Sequence, residues 1–472
     1  MQMVLRQREM EERWQRLCQR YLPLASEDSV WRYSRRRRAA EPEQGWKLHI
    51  SSTLLNASGT LGAIAPLLAG RGVQFKAPSS LHELSRINSG LYYGYGQVGK
   101  IITVYPKNPN EAVVLAQALD QLTRRKGGPV VPFDQRYRPL SNVYLRYGAF
   151  TRLEIKQDDG RLIPAVRDPA GKLTPDYREC PSAKPEWVAD LLLRGHSTRN
   201  IPSPLGTRFR VFRALTQRGK GGVYQAIDLS TDPPRLCLVK EGRKDGETRW
   251  DGHDGAWMVR NEERVLSRLR ASGLEVPRIY AAFEAAANYY LVTEFIDGEN
   301  LQIELSRLQK RISLKRILQY GIQLSGFMAE LHATGWIWRD CKPTNLILTS
   351  ERVLRPLDFE GACRADNVDP LPWGTPGFSP PEWRAGRRDS GMPDDCFALG
   401  AVLYLLLTGR VPLAPAIPVE RFRRGLPDPV REIVSALLSP VPSQRPPAKS
   451  VKLALSRIWE RLNQGRKPPA KL

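Results

Sequence analysis

Cysteine, long apolar runs and acidic residues are what this sequence has little of. Its six cysteines in 472 residues (Cys18, Cys180, Cys237, Cys341, Cys363 and Cys396) are scattered, with no Cys-x-x-Cys pair and no nearby Cys/His set. That argues against a disulfide framework or a structural zinc site and for a reducing compartment. The longest apolar run, near residues 397–407, is too short and too like a helix core to cross a bilayer. No signal-peptide pattern opens the chain, so no transmembrane segment is expected and a cytoplasmic location is. Acidic residues number 49 against 72 basic ones, a net charge of +23. An anionic partner follows: nucleotide phosphates, an acidic peptide, nucleic acid or a membrane surface. Nucleic acid is not expected, because no aromatic–basic interleaving or known module accompanies the charge.

The length suffices for two or three domains. Residues 3–21 read as a basic helix with Met3, Met10, Trp14, Leu17 and Tyr21 near one face. Four arginines, Arg35 to Arg38, follow it, and residues 1–40 are expected to be a basic N-terminal extension. From 41 to 180 strand-like and helix-like segments alternate. Residues 46–52 alternate as a strand does, 61–69 are apolar and helical although Pro66 interrupts them, and 73–76 form a short strand. The β-branched run 100–106 ends at a proline, 111–125 is an amphipathic helix, and 143–147 is a further strand. Lys47 and His49 lie two apart on a strand and so share a face. Lys76, Lys100 and Arg146 lie within or at the ends of other strands. Cations and a histidine on one face would make a phosphate pocket, and a lysine crowded by cations becomes usable as a base.

Prolines and glycines recur from 164 to 205, and we expect a linker at 181–205 with a helical patch at 187–193. Beyond it, from 206 to 462, elements recur in a fixed order. Gly219, Gly221, Gly222 and Val223 lie in a glycine-rich stretch between two strand-like runs, where backbone can approach phosphates. Lys240 ends an apolar strand, Glu262 lies on a charged helix, and Glu294 and Ile296 follow the run Leu291-Val292-Thr293. Trp338-Arg339-Asp340-Cys341-Lys342-Pro343-Thr344-Asn345 then leads into Leu346-Ile347-Leu348. Leu357-Asp358-Phe359-Glu360-Gly361 comes next, then Gly374-Thr375-Pro376 through Glu382, and Asp395 on an apolar helix. Residues 463–472 read as a basic tail.

This second series resembles a protein kinase. The resemblance implies that Asp340 takes the proton of an attacking hydroxyl and Lys342 steadies the transferred phosphoryl group. Asn345 and Asp358 would hold magnesium, and Lys240 would contact the ATP phosphates and pair with Glu262. Glu294 and Ile296 would present backbone to adenine, Glu382 would pair with Arg445, and Asp395 would brace the catalytic loop. Glutamate replaces the usual glycine after Asp358-Phe359, and Trp338 replaces the usual histidine.

The first series, in Gly45-Trp46-Lys47-Leu48-His49-Ile50-Ser51, Phe75-Lys76, Gly99-Lys100 and Tyr144-Leu145-Arg146, resembles the N-terminal lyase domain of class III lanthipeptide synthetases. In those enzymes a protein-kinase-like domain follows, and an Asp-Phe-Glu is found where this chain has Asp358-Phe359-Glu360. That resemblance implies Lys76 as base, His49 as acid, and Lys47, Lys100 and Arg146 as phosphate ligands. The fold class expected is α+β and multi-domain: an N-terminal α/β lyase-like domain, then a two-lobed kinase fold. The function implied is a peptide dehydratase that uses ATP and Mg2+ to phosphorylate Ser/Thr in a precursor peptide and then eliminates phosphate. The peptide's leader would be acidic, and ring closure would either fall to a separate cyclase protein or not occur. The alternative is a Ser/Thr protein kinase whose N-terminal domain only binds phosphopeptide.

Overall fold

The computed structural model describes residues 2–177, 184–191, 205–307, 312–367, 373–383, 391–413 and 415–464. The expected linker and basic tail lie mostly outside these residues. Within the linker, 184–191 forms turns with no helix, and residues 192 and 193 of the expected helical patch lie outside.

The N-terminal α/β domain opens with α1 (Gln2–Tyr21), β1 (Leu24–Ala25) and β2 (Trp31–Tyr33). It continues with β3 (Gln44–Ile50), α2 (Ala57–Gly70), β4 (Gln74–Pro78), α3 (Leu81–Ser89), β5 (Ile102–Tyr105), α4 (Pro109–Thr123), β6 (Gln135–Arg136) and β7 (Val143–Ala149). The strands form one sheet in the order β1-β2-β4-β5-β3-β7-β6, each neighbouring pair antiparallel.

The period of two sorts the side chains. Trp46, Leu48 and Ile50 of β3, Phe75 and Ala77 of β4, Ile102 and Val104 of β5, and Val143 and Leu145 of β7 are buried in one core. Leu61, Ile64 and Leu68 of α2 and Leu115 and Leu119 of α4 close that core. The helix α2 runs through Pro66, whose ring lies on the exposed side.

Residues 1–40 are part of this domain and do not form an outlying extension. Trp14 and Cys18 of α1 are fully buried in the same core, Trp14 Nε1 donates to the Pro78 carbonyl at 3.2 Å, and β2 pairs with β4. Met10, Leu17 and Tyr21 of α1 pack beside Trp14 and Cys18, so the apolar face of this charged helix docks it on the core. Three short antiparallel strands, β8 (Glu154–Lys156), β9 (Leu162–Arg167) and β10 (Leu173–Pro175), follow.

Next come β11 (Phe209–Arg218), β12 (Gly221–Asp228) and β13 (Arg235–Gly242), an antiparallel meander, and then the helix α5 (Gly255–Ala271). The chain separates into two compact units. The first is Met1–Val259 with Phe283–Tyr290, and the second is Arg260–Ala282 with Leu291–Leu472. The first unit thus includes β11 to β13 as well as the N-terminal sheet.

The second unit is mainly helical: Leu314–Ala333, Met392–Thr408, Asp428–Leu437 and Ala448–Gln464. Residues Asp394 through Leu407 of Met392–Thr408 are all buried, which makes it the central helix and explains the apolar run near 397–407. Among the described residues no helix is long and apolar enough to cross a membrane. The described cysteines, Cys18, Cys237, Cys341, Cys363 and Cys396, are buried and form no disulfide among the described residues.

Candidate functional site

The sheet face opposite the N-terminal core carries a row of polar residues fixed by strand register. Tyr33 pairs with Lys76, Lys76 with Thr103, and Thr103 with His49. His49 pairs in turn with Tyr144, and Tyr144 with Arg136. Directly paired residues of an antiparallel sheet project to the same side. Lys76 and His49 thus share a face with Thr103 between them, two strand spacings or about 10 Å apart along the row. Lys47 and Arg146, also paired, lie two residues along on that face.

His49 is buried, and its Nδ1 lies 2.5 Å from Asp134 Oδ2. The other Asp134 oxygen lies 2.9 Å from Lys100 Nζ, and the Asp134 side chain is fully buried. Burial pushes the His49 imidazole down to about 4, although Asp134 pulls the other way. Burial alone would raise Asp134, but His49 and Lys100 hold its carboxyl below the ordinary value. The neutral ring therefore carries its hydrogen on Nδ1, donates it to Asp134 and keeps Nε2 for exchange. Asp134 was not found by sequence reasoning. Its only signal is that a buried lysine beside a buried imidazole N–H needs a carboxylate.

Two of the expected phosphate ligands are already engaged: Lys100 pairs with Asp134, and Arg146 donates to Asp176 Oδ1 at 2.7 Å with both side chains buried. Lys76 lies against aromatic faces, 3.9 Å from the Trp31 ring centroid and 5.8 Å from that of Tyr33. The crowding by unpaired cations that sequence reasoning expected around Lys76 is thus reduced by carboxylates, and an indole face stands in its place.

The second site surrounds Asp340. Lys342 Nζ reaches Asp340 Oδ2 at 2.7 Å, and Thr375 Oγ1 donates to Asp340 Oδ1 at 3.0 Å. Asn345 Nδ2 donates to the Asp340 carbonyl at 2.9 Å and to its Oδ2 at 3.0 Å. Burial raises the Asp340 carboxyl, and nearby Asp358 adds to the rise while Lys342 opposes it. Below the loop, Asp395 is fully buried and accepts the N–H groups of Trp338 and Arg339, each at 2.8 Å. His332 Nε2 lies 3.0 Å from the same carboxylate.

Trp338 stacks on Phe359 with centroids 5.4 Å apart and donates from Nε1 to the Asp358 carbonyl at 3.0 Å. It thereby ties the catalytic loop to the Asp358 segment. Asp358 has φ of 64°. Buried Glu262 accepts the Phe359 N–H at 3.2 Å, and Asn261 Nδ2 donates to the Glu360 carbonyl at 3.1 Å. Arg445 donates to Glu382 at 2.8 Å. Thr375, His332 and Asn261 were not singled out from sequence, since each contact spans a long stretch of chain.

Of the expected nucleotide-binding residues, Gly219 tips a two-residue turn between β11 and β12, while Gly221, Gly222 and Val223 begin β12. A Cβ on Gly219 would run into the Asn88 carbonyl, and one on Gly221 into the Glu241 carbonyl. Lys240 sits on β13 opposite Val223. The Glu294 N–H is committed to the Arg278 carbonyl at 2.8 Å, so its carbonyl is what it can offer a base. Ile296 is buried.

Comparisons with known proteins match the two halves of the chain to two different families. A family model described as "RamC, N-terminal domain" matches residues 7–196, and one described as "Protein kinase domain" matches 210–454. A "Probable SapB synthase" of Streptomyces coelicolor is 31% identical over 84% of this chain and 43% of its own length. "Serine/threonine-protein kinase F" of Synechocystis is 28% identical over 57% of this chain and 58% of its own. "Serine/threonine-protein kinase PknA" of Nostoc is 29% identical over 44% of this chain and 38% of its own. The chain spans about half the length of these curated relatives or less.

Proposed function

The chain belongs to the protein kinase family, with a RamC N-terminal-type domain fused ahead of the kinase domain, and on that premise we propose that it is a two-site peptide dehydratase. The kinase half phosphorylates Ser or Thr of a precursor peptide, and the N-terminal domain eliminates the phosphate, as in class III lanthipeptide synthetases. The observation that carries this reading is the row Lys76–Thr103–His49. A base and an acid stand on one sheet face within reach of one phosphorylated residue, beside Lys47 and Arg146. Similarity to a protein named a probable SapB synthase supports a biosynthetic role.

At the kinase site the acceptor hydroxyl loses its proton to Asp340, whose two oxygens are oriented by Lys342, Asn345 and Thr375. Asn345 makes its contacts through Nδ2, which leaves an amide oxygen, and Asp358 is a carboxylate. These hard oxygen donors fit magnesium, which when bound offsets charge on the transferred phosphoryl group.

At the lyase site Lys76 Nζ takes the α-proton, and the C–H electrons form the Cα=Cβ bond. The Cβ–O bond breaks and phosphate leaves with its electron pair; His49 acts as the acid once its Nε2 has taken up a proton, which the adjacent phosphate dianion of the bound substrate favours. The product is dehydroalanine or dehydrobutyrine. The net charge of +23 suits a peptide with an acidic leader.

One observation favours the other reading, a Ser/Thr kinase with a phosphopeptide-binding N-terminal domain: Lys76 lies over an aromatic face, an arrangement that stabilises the ammonium and suits a binding residue. Intact mass separates the two. After incubation with ATP and magnesium, a Ser/Thr-rich precursor peptide should end about 18 Da lighter per processed site, the mass of lost water. Lys76→Ala should instead leave it about 80 Da heavier, the mass of retained phosphate. A phosphopeptide that persists with the unmutated protein refutes the dehydratase reading.

A further inference from the structure

The first compact unit runs on to Val259, so β11 to β13 pack inside the same unit as the cationic sheet face. Their contacts converge on the loop that carries Asp134. Near the start of that loop the Asp245 carboxylate accepts the Gly128 N–H at 3.4 Å, and Ser51 Oγ donates to the Pro129 carbonyl at 2.6 Å. At its end Phe133 has φ of 64°, a strained conformation for a bulky residue that persists only where the surroundings over-determine it.

Those surroundings come from Tyr95 and from Arg243, the residue just past β13. The Phe133 ring meets Tyr95 edge-on, with centroids 5.8 Å apart at 90°, and the Arg243 guanidinium lies 5.0 Å from the Tyr95 centroid. Arg243 is held by Glu241 Oε2 at 2.9 Å and by donating to the Arg218 carbonyl at 3.0 Å. A parallel contact serves the other partner of Asp134. The Gly219 N–H donates to the Ser89 carbonyl at 3.0 Å. Neighbouring Asn88 accepts the N–H of Gly99, the residue before Lys100, at 3.1 Å.

We infer that Arg243 and Asp245, which belong to the kinase half of the sequence, are positioning residues for the elimination. They fix the 127–134 loop so that Asp134 holds the His49 ring with hydrogen on Nδ1 and Nε2 turned to the phosphate. The inference rests on the dehydratase reading, and its test separates the two.

Protein carrying 15N-histidine is examined by NMR, with His49→Gln assigning the resonance, and elimination is followed on a synthetic phosphoserine peptide without ATP. In the unmutated protein His49 shows the Nδ1-protonated tautomer. In Arg243→Ala and Asp245→Ala that signature is lost, and kcat for elimination falls about 10- to 100-fold with KM little changed, the scale of a small misplacement. Arg243→Lys, which keeps a cation over Tyr95, restores both, and unchanged His82 and His332 resonances show that the variants are folded.

An unaltered His49 tautomer with full elimination in both alanine variants overturns the inference and leaves the dehydratase reading intact. If the unmutated protein eliminates nothing, the dehydratase reading fails. The tautomer then decides the positioning alone, its loss in the variants upholding it and its persistence overturning it.

Discussion

Asp134→Asn is the substitution with the most to reveal. The carboxylate is fully buried between His49 Nδ1 at 2.5 Å and Lys100 Nζ at 2.9 Å. The amide is nearly the same size, so packing survives and the charge alone goes. The Lys100 side chain is only 7% exposed, and breaking such a buried pair costs roughly 3–5 kcal/mol. The amide oxygen still accepts one bond, so the lower end is expected, about 3 kcal/mol. A domain stabilised by about 5–15 kcal/mol survives that loss. Local opening of β3 and β7 would speed by about 150-fold, since each factor of ten is about 1.4 kcal/mol. Amide exchange followed by mass spectrometry on fragments covering 44–50 and 143–149 reads this directly. His49 also loses the carboxylate that orients it and supports its protonation, and elimination of phosphate from a phosphoserine peptide should fall roughly 10²–10⁴-fold, the range for losing general acid help. Elimination within threefold of the unmutated rate, with unchanged exchange, would refute the argument that Asp134 organises the site.

Two further outcomes follow from buried groups. Burial holds the His49 imidazole at about 4, below its ordinary value of 6.5, so its contribution to stability is present above 6.5 and is lost as pH falls through 4. Between pH 7 and 4.5 the unmutated protein should lose roughly 2–3 kcal/mol more than His49→Gln, by proton linkage. Urea unfolding at the two pH values checks this, and equal losses would count against a buried neutral ring. Asp395→Asn weakens the acceptor of two catalytic-loop amides and should lower peptide phosphorylation at least about tenfold through misplacement of Asp340. A radiolabelled ATP assay reads it, and elimination from a pre-phosphorylated peptide should be unchanged.

How much of this was legible in the sequence follows from the range of each interaction. Asp340, Lys342 and Asn345 fall within six consecutive residues, so their spacing alone brings them together, and the structure adds only Thr375 from a distant segment. Lys47 and His49 are two apart on a strand, and the period of two fixes their shared face. Registering Lys76 against His49 needed the strand order, which places β5 between β4 and β3. Asp134 could not be read, since it follows a turn strained at Phe133 and meets its partner across 85 positions. The apolar face of α1 was legible at Met10, Trp14, Leu17 and Tyr21, which pack on the core together with Cys18, whereas the pairing of β2 with β4 left no such periodicity. The carboxylates beside Lys100 and Arg146 were equally hidden, and with them the softening of the cationic face.

The division of the chain at Val259 bears on how such proteins can be recombined. Exchange of whole N-terminal domains between relatives at the 181–205 segment would separate Asn88 from Gly219 and Tyr95 from Arg243. Each new pairing would have to be accommodated anew. Crossovers placed after residue 259 carry these partners together, so functional chimeras should cluster there, and Asn88 with Gly219 and Tyr95 with Arg243 should be inherited as matched sets.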